Sequence, residues 1–204
     1  MKYTLIADGT SDKVFIDILT WTLKQEIASP IESQWADFSR IPRQPDRESS
    51  IRAALDLYPC DVLFVHRDAE NQPPEERREE IAILLQGTAV PHVPVIPVRM
   101  TEAWLLFDES SIRCAAGNPN GSESLDLPDL TRIEELSNPK KVLHDALVRA
   151  SGLNARRRSR FRVETCVHRI TDYIDDYTRL GSLSAFQTLR RDIKLFARER
   201  SLDA

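Results

Sequence analysis

The chain has 204 residues, of which 41% are hydrophobic and 29% charged, with a formal net charge of −4. This is ordinary for a soluble globular protein that buries one core, alone or with a helical appendage, and the acidic balance gives no overall attraction to nucleic acid. No apolar run approaches the roughly 20 residues of a membrane helix, so a membrane-spanning role is excluded.

The amino-terminal stretch Met1 to Asp8 carries one positive charge and too short an apolar run for a signal peptide, so a cytoplasmic location is expected. Cys60, Cys114 and Cys166 are odd in number and widely spaced, with no Cys-x-x-Cys pair. They point to buried or semi-buried thiols rather than a disulfide framework or a zinc site.

In chain order, Tyr3 to Ala7 reads as a strand ending at Asp8, and a Gly9 turn leads into a helix expected over about 11–27. A weaker extended piece lies around 33–38 among Pro30, Pro42 and Pro45. Asp46 or Ser49 can cap a helix carrying Ile51, Ala54, Leu55 and Tyr58, which Pro59 stops. The continuous apolar run from Asp61 to Val65 predicts a strand buried on both faces, as in a parallel sheet. A charged helix is expected over 75–86, then a strand over 92–98 whose Pro94 and Pro97 argue for an edge position. A short helix begins near Thr101.

The alternation of strands and helices predicts an α/β fold with a mainly parallel sheet flanked by helices. Residues 117–128 are rich in Asn, Pro, Gly and Ser and mark the internal boundary. The expected organisation is an α/β domain over 1–116 and a helical extension over 117–204, packed on it or forming one domain with it. Asn138-Pro139 starts one helix of that extension, and two more are expected over about 162–177 and 184–198.

Asp8-Gly9-Thr10-Ser11-Asp12, Asp68-Ala69-Glu70 and Thr101-Glu102-Ala103 each follow an apolar strand-like run. Ligands of open α/β sheets bind outside the carboxyl ends of the strands, so these clusters gather carboxylates where a site is expected. Asp68 and Glu70, one residue apart, share a side of an extended backbone and can hold Mg²⁺ or Mn²⁺ through hard oxygen ligands, with Asp8 completing the site. Glu102 is a further metal-ligand candidate, and Asp12 is a second-tier one. Each acid also has a structural reading: Asp8 can serve the turn, Asp12 the first helical turn, Glu102 a helix start, and Asp68 with Glu70 a solvated loop. His66, His92, His144 and His168 lack metal-ligand spacing, and His66 reads as a packed or hydrogen-bonded side chain rather than a base. Arg156, Arg157, Arg158, Arg160 and Arg162 form a local basic patch that can pair with phosphates or an acidic partner, or form a solvated loop.

Asp8-Gly9-Thr10 is similar to part of the haloacid-dehalogenase phosphatase motif, but Ile6 stands at the position of its nucleophile. A response-regulator receiver would have paired early acids and a Lys after a fifth strand, and neither is found. The order strand, Asp8-Gly9-x-x-Asp12, helix, then a later strand ending Asp68-Ala69-Glu70, resembles the Toprim domain of topoisomerases, primases and OLD-family nucleases. Pro97-Val98-Arg99-Met100-Thr101-Glu102-Ala103-Trp104-Leu105-Leu106, with Asn138-Pro139-Lys140-Lys141, further resembles small stand-alone bacterial Toprim-like proteins that look like companions of ATPases in phage-defence operons.

The resemblance implies a Toprim-like, Rossmann-like fold and a Mg²⁺- or Mn²⁺-dependent nuclease acting on DNA or RNA, with an ATPase as partner. It gives Asp8 the place of the first-motif acid, usually Glu, as general acid or base. It gives Asp68 and Glu70 the places of the metal-binding Asp pair. Asp at position 8 shortens reach by one methylene, and Glu at position 70 lengthens it. The rival expectation is a Toprim-like binding subunit without catalysis; a small phosphoester hydrolase is a third.

Overall fold

A computed structural model of the protein describes residues 1–202. The chain divides into two compact units, one formed by Met1–Ile96 with the chain from Thr188 onward, the other by Pro97–Gln187.

In the first unit, β1 (Lys2–Ile6) leads through a 3-10 turn at Thr10–Val14 into α1 (Phe15–Glu26). β2 (Glu32–Trp35), α2 (Arg47–Leu57), β3 (Val62–His66), α3 (Pro74–Leu84) and β4 (His92–Val95) follow. The strands form one parallel sheet in the order β2-β1-β3-β4, with Tyr3 opposite Val62 and Ile6 opposite Val65. This is a Rossmann-like α/β arrangement, as the alternation of elements predicts.

Period-two alternation divides the strand side chains between two buried faces. Ile6, Leu63 and Val65 join a cluster with Ile51 and Ala54 of α2 and Ile81 of α3. On the opposite face the Tyr3 hydroxyl lies 2.8 Å from both the Ile16 carbonyl and the Thr20 hydroxyl of α1, and Phe64 packs edge-on against Tyr3. Every residue of β3 is therefore buried. β4 is an edge strand, and it ends at Val95 rather than Val98. The carbonyls of Pro91, just before β4, and of Val95 face β3 as acceptors, so alternation turns the missing donor of Pro94 away from the ladder.

The second unit contains a buried 3-10 turn at Thr101–Leu105, α4 (Glu109–Ala115), α5 (Pro139–Ala150), the short α6 (Ala155–Arg158) and α7 (Val163–Arg169). Asp108 and Asn138 cap α4 and α5 by accepting from the backbone N–H groups of Ser111 and Lys141. Residues 117–128 lie inside this unit.

The helix expected over 162–177 is shorter. α7 stops at Arg169 and a 3-10 turn takes Thr171–Tyr173, because the run Thr-Asp-Tyr-Ile-Asp-Asp-Tyr-Thr has weak helix propensity. Its apolar positions Val167, Ile170 and Ile174 are buried all the same. α8 (Ser184–Glu199) begins where the Glu134 carboxylate accepts from the backbone N–H groups of Ser184 and Ala185. Arg190 and Arg78 then pair with Glu26 and Asp192 in the first unit. Among the described residues no helix is long and apolar enough to cross a membrane.

Candidate functional site

The strand order reverses direction between β1 and β3, since the chain adds β2 on one side of β1 and β3, then β4, on the other. In open α/β sheets the crevice outside such a switch point is where ligands bind. The first two acidic clusters stand there: Asp8 lies two residues beyond β1 and Asp68 two residues beyond β3.

Continuing the β1–β3 register sets Asp8 level with Arg67. The Arg67 Nη1 atom lies 3.0 Å from Asp8 Oδ2, and Arg47 Nη2 donates to Asp8 Oδ1 at 2.5 Å. Arg47 is the first residue of α2, positioned by the Asp46 cap, whose carboxylate accepts from the Ser49 N–H at 2.7 Å. That hydrogen bond holds the Asp46 carboxyl below the usual carboxylate range. Both oxygens of Asp8 thus face guanidinium groups.

Asp12 folds back onto the turn and accepts from the Gly9 N–H at 3.0 Å. Its Oδ1 lies 3.7 Å from Nε2 of His66, and Asp68 Oδ1 lies 3.4 Å from the same nitrogen. The imidazole packs on Phe15, with ring centroids 4.5 Å apart, and its Nδ1 lies 3.0 Å from the Val95 carbonyl. A carbonyl only accepts, so Nδ1 carries the proton and Nε2 is the atom presented to the two carboxylates. His66 is the packed, hydrogen-bonded residue expected, and it also links the two acidic clusters. The side chains of His66 and Asp12 are 3% and 10% exposed, whereas that of Asp68 is 32% exposed. Asp68 is therefore the most solvent-exposed member of the group.

The segment after Asp68 is not extended. Glu70 has φ +54° and the Gln72 N–H donates to the Ala69 carbonyl, so the chain turns and residues 68 and 70 do not share one side of an extended backbone as expected. Glu70 Oε2 lies 3.5 Å from Arg77, a residue whose Nε also donates to the Asp68 carbonyl. Arg77 Nη1 donates to both oxygens of Glu80, which holds the guanidinium above its usual range.

Glu102 belongs to the second unit, where it is buried in the 3-10 turn with Oε1 3.7 Å from Lys140 Nζ. The five arginines also belong to that unit. Arg156, Arg157, Arg158 and Arg160 are exposed on and after α6, and Arg158 Nε donates to the Leu153 carbonyl. Arg162 precedes α7.

Among the described residues no three His, Cys, Asp or Glu side chains form a ready-made metal cage. Mg²⁺ does not require one, because it retains several waters and takes one or two carboxylates together with substrate phosphates. The hard-oxygen donor set at the strand ends fits that mode. Asp68 is suited to it by exposure, and Glu70 and Asp12 flank it. Asp8 is engaged by Arg47 and Arg67. Sequence reasoning missed these two arginines and the role of Asp12. The signal available was the His66-x-Asp68 spacing, which puts both residues on one side where the chain leaves β3.

The fold and strand-end acids define the chain as a parallel α/β protein with polar groups converging on its switch point. No protein-family model matches it, and no curated protein or solved structure is significantly similar to it.

Proposed function

We propose that the protein is a divalent-metal-dependent nuclease of the Toprim type, hydrolysing phosphodiester bonds of DNA or RNA with Mg²⁺ or Mn²⁺. The observation that carries this reading is the placement of Asp8, Asp12 and Asp68 outside the ends of β1 and β3, where the strand order reverses.

Asp68 holds the ion, with Glu70 as its neighbour. A bound ion of this kind polarises a phosphoryl oxygen and lowers the pKa of attacking water. His66 and Asp12 stand beside Asp68: the buried imidazole, anchored on the Val95 carbonyl, sets its Nε2 edge 3.4 Å from that carboxylate. Arg47 and Arg67 offer guanidinium groups to substrate phosphate beside the acids. Arg156, Arg157, Arg158, Arg160 and Arg162 supply backbone contacts. Support for that role comes from the polar cavity of about 500 Å³ lined by Asn154, Arg156, Arg157, Ser159 and Arg160. The family resemblance supports an ATPase as the partner that directs the nuclease.

The test is calorimetry with Mn²⁺ and Mg²⁺ on wild type and Asp68→Ala, with digestion of plasmid, single-stranded DNA and RNA by the same preparations. Binding and cleavage lost together in the variant support the nuclease. A wild type that binds neither ion, with or without nucleic acid present, overturns it.

One observation favours a second reading, a Toprim-like binding subunit without catalysis. The carboxylate that should serve as general acid or base, Asp8, has both oxygens on arginines. That reading predicts that Asp68→Ala keeps function while charge reversal at Arg157 and Arg158 destroys it.

A further inference from the structure

We infer that the protein carries a nucleotide subsite, seating one base between α2, the end of β3 and α3, immediately beside the acidic strand ends. The inference rests on the nuclease reading for its biological use and on a separate feature for its existence. That feature is a cavity of about 310 Å³ lined by Arg47, Arg67, Glu80, Ile81, Ile83 and Leu84.

The size lies at the lower end of the range of about 300–1,000 Å³ for small-molecule sites, which suits a single base rather than a stacked run. Its floor is apolar, with Ile81 in the core, while Ile83 stands 65% exposed at the rim. Across from this floor stand Arg47 and Arg67. Each guanidinium has five N–H donors and a flat face, and here each also reaches Asp8. Such a pair can grip a phosphate or stack on a base.

A planar apolar body with an anionic group attached matches this combination, and a nucleotide has both parts. Glu80 adds a preference. Its carboxylate lies on the cavity wall and, besides accepting from Arg77, can accept from an exocyclic amine, which offers two N–H donors where uracil offers only its N3–H. A phosphate drawn to Arg47 and Arg67 comes to the edge that carries Asp8 and Asp68.

The experiment is done in EDTA, so that base binding is measured apart from metal-dependent cleavage. AMP, CMP, GMP and UMP are titrated by calorimetry, and a short single strand containing 2-aminopurine is followed by fluorescence. Wild type is compared with Leu84→Trp, which fills the cavity, with Ile83→Glu, which changes an exposed position and leaves the core intact, and with Asp68→Ala. Circular dichroism verifies folding of each variant.

The expected result is saturable binding of the three amine-bearing nucleotides, weakest for UMP, at least about tenfold weaker in both cavity variants and unchanged in Asp68→Ala. Binding of mononucleotides alone identifies a free nucleotide as ligand; a 2-aminopurine response alone identifies a base within a strand. No saturable response from either probe, or equal binding in wild type and Ile83→Glu, overturns the subsite. Metal-dependent cleavage without base binding removes the subsite and leaves the nuclease. Base binding without metal binding or cleavage removes the nuclease and leaves the subsite.

Discussion

His66→Phe separates packing from polarity at the strand ends. Phenylalanine keeps a ring, one atom larger, against Phe15, where the imidazole centroid now lies 4.5 Å away, and removes both nitrogens. The Nδ1 hydrogen bond to the Val95 carbonyl is lost, but that carbonyl still accepts from the Arg67 N–H at 3.2 Å. The loss there is accordingly the net value of one hydrogen bond, about 1 kcal/mol, and not the larger penalty of an orphaned acceptor. Asp12 keeps the Gly9 N–H, and the ring nitrogen that faces it at 3.7 Å is too far for a hydrogen bond, so no second hydrogen-bond loss is added there. The loss of about 1 kcal/mol lowers the urea midpoint by about 0.5 M at a slope of about 2 kcal/mol per M. A double-mutant cycle with Asp12→Asn should return a coupling of at least about 0.5 kcal/mol. In the same variant Mn²⁺ affinity should fall about 10- to 100-fold, the usual effect of removing an outer-shell partner of a metal ligand. An unchanged midpoint together with zero coupling would refute the idea that His66 ties the two acidic clusters together.

Three further outcomes follow from the same structure. Burial depresses the pKa of His92 below its ordinary 6.5, so the unfolded chain takes up a proton that the folded chain refuses. Stability should hold above about pH 6.5 and fall as the pH drops below it, and His92→Gln should flatten that slope in chemical denaturation at pH 5 to 7; an identical slope in both proteins assigns it to other groups. Asn138→Ala removes the cap of α5 and should cost about 1 kcal/mol, or roughly 2–4 °C in Tm, with no change in Mn²⁺ affinity. Arg156→Glu with Arg157→Glu should weaken nucleic-acid binding and reduce the slope of log K against log salt by about 1–2; an unaltered slope would remove α6 from the interface.

The alternation of apolar runs with capped helices carries the order of elements in the first unit, because buried parallel strands announce themselves as unbroken runs such as Val62 to Val65. The edge position of β4 was legible from Pro94 for the same kind of reason, a missing backbone donor. The position of the acids at the switch point needed pairing information, since Asp8 and Asp68 are 60 residues apart and only the order β2-β1-β3-β4 makes them neighbours. Charge partners were less visible still. Arg47 and Arg67 reach Asp8 from a helix start and a strand end, and no periodicity encodes a pairing between exposed side chains so distant in sequence. The turn at Glu70 escaped because a non-glycine residue at φ +54° has no sequence mark here, and assuming extension through it misplaced the second carboxylate of the Asp68 pair.

On the nuclease reading, the clamp on Asp8 should make anion and cation binding interdependent. Arg47 and Arg67 hold its two oxygens, and a phosphate that engages the same guanidiniums takes donors away from the carboxylate. The released Asp8 then adds a second hard-oxygen donor beside Asp68, so Mn²⁺ should bind more tightly when phosphate is present, and the linkage requires the reverse as well. A coupling in the common range of about 5- to 150-fold is expected for wild type with a nuclease-resistant single strand. Strand phosphates can also ligate the ion directly, so the decisive comparison is Asp8→Asn, which keeps those phosphates and lacks the releasable carboxylate. Its coupling should be at least about fivefold smaller than that of wild type in paired calorimetric titrations. Equal coupling in the two proteins would mean that Asp8 stays with its arginines throughout, a structural pin of the β1 end rather than a ligand held in reserve.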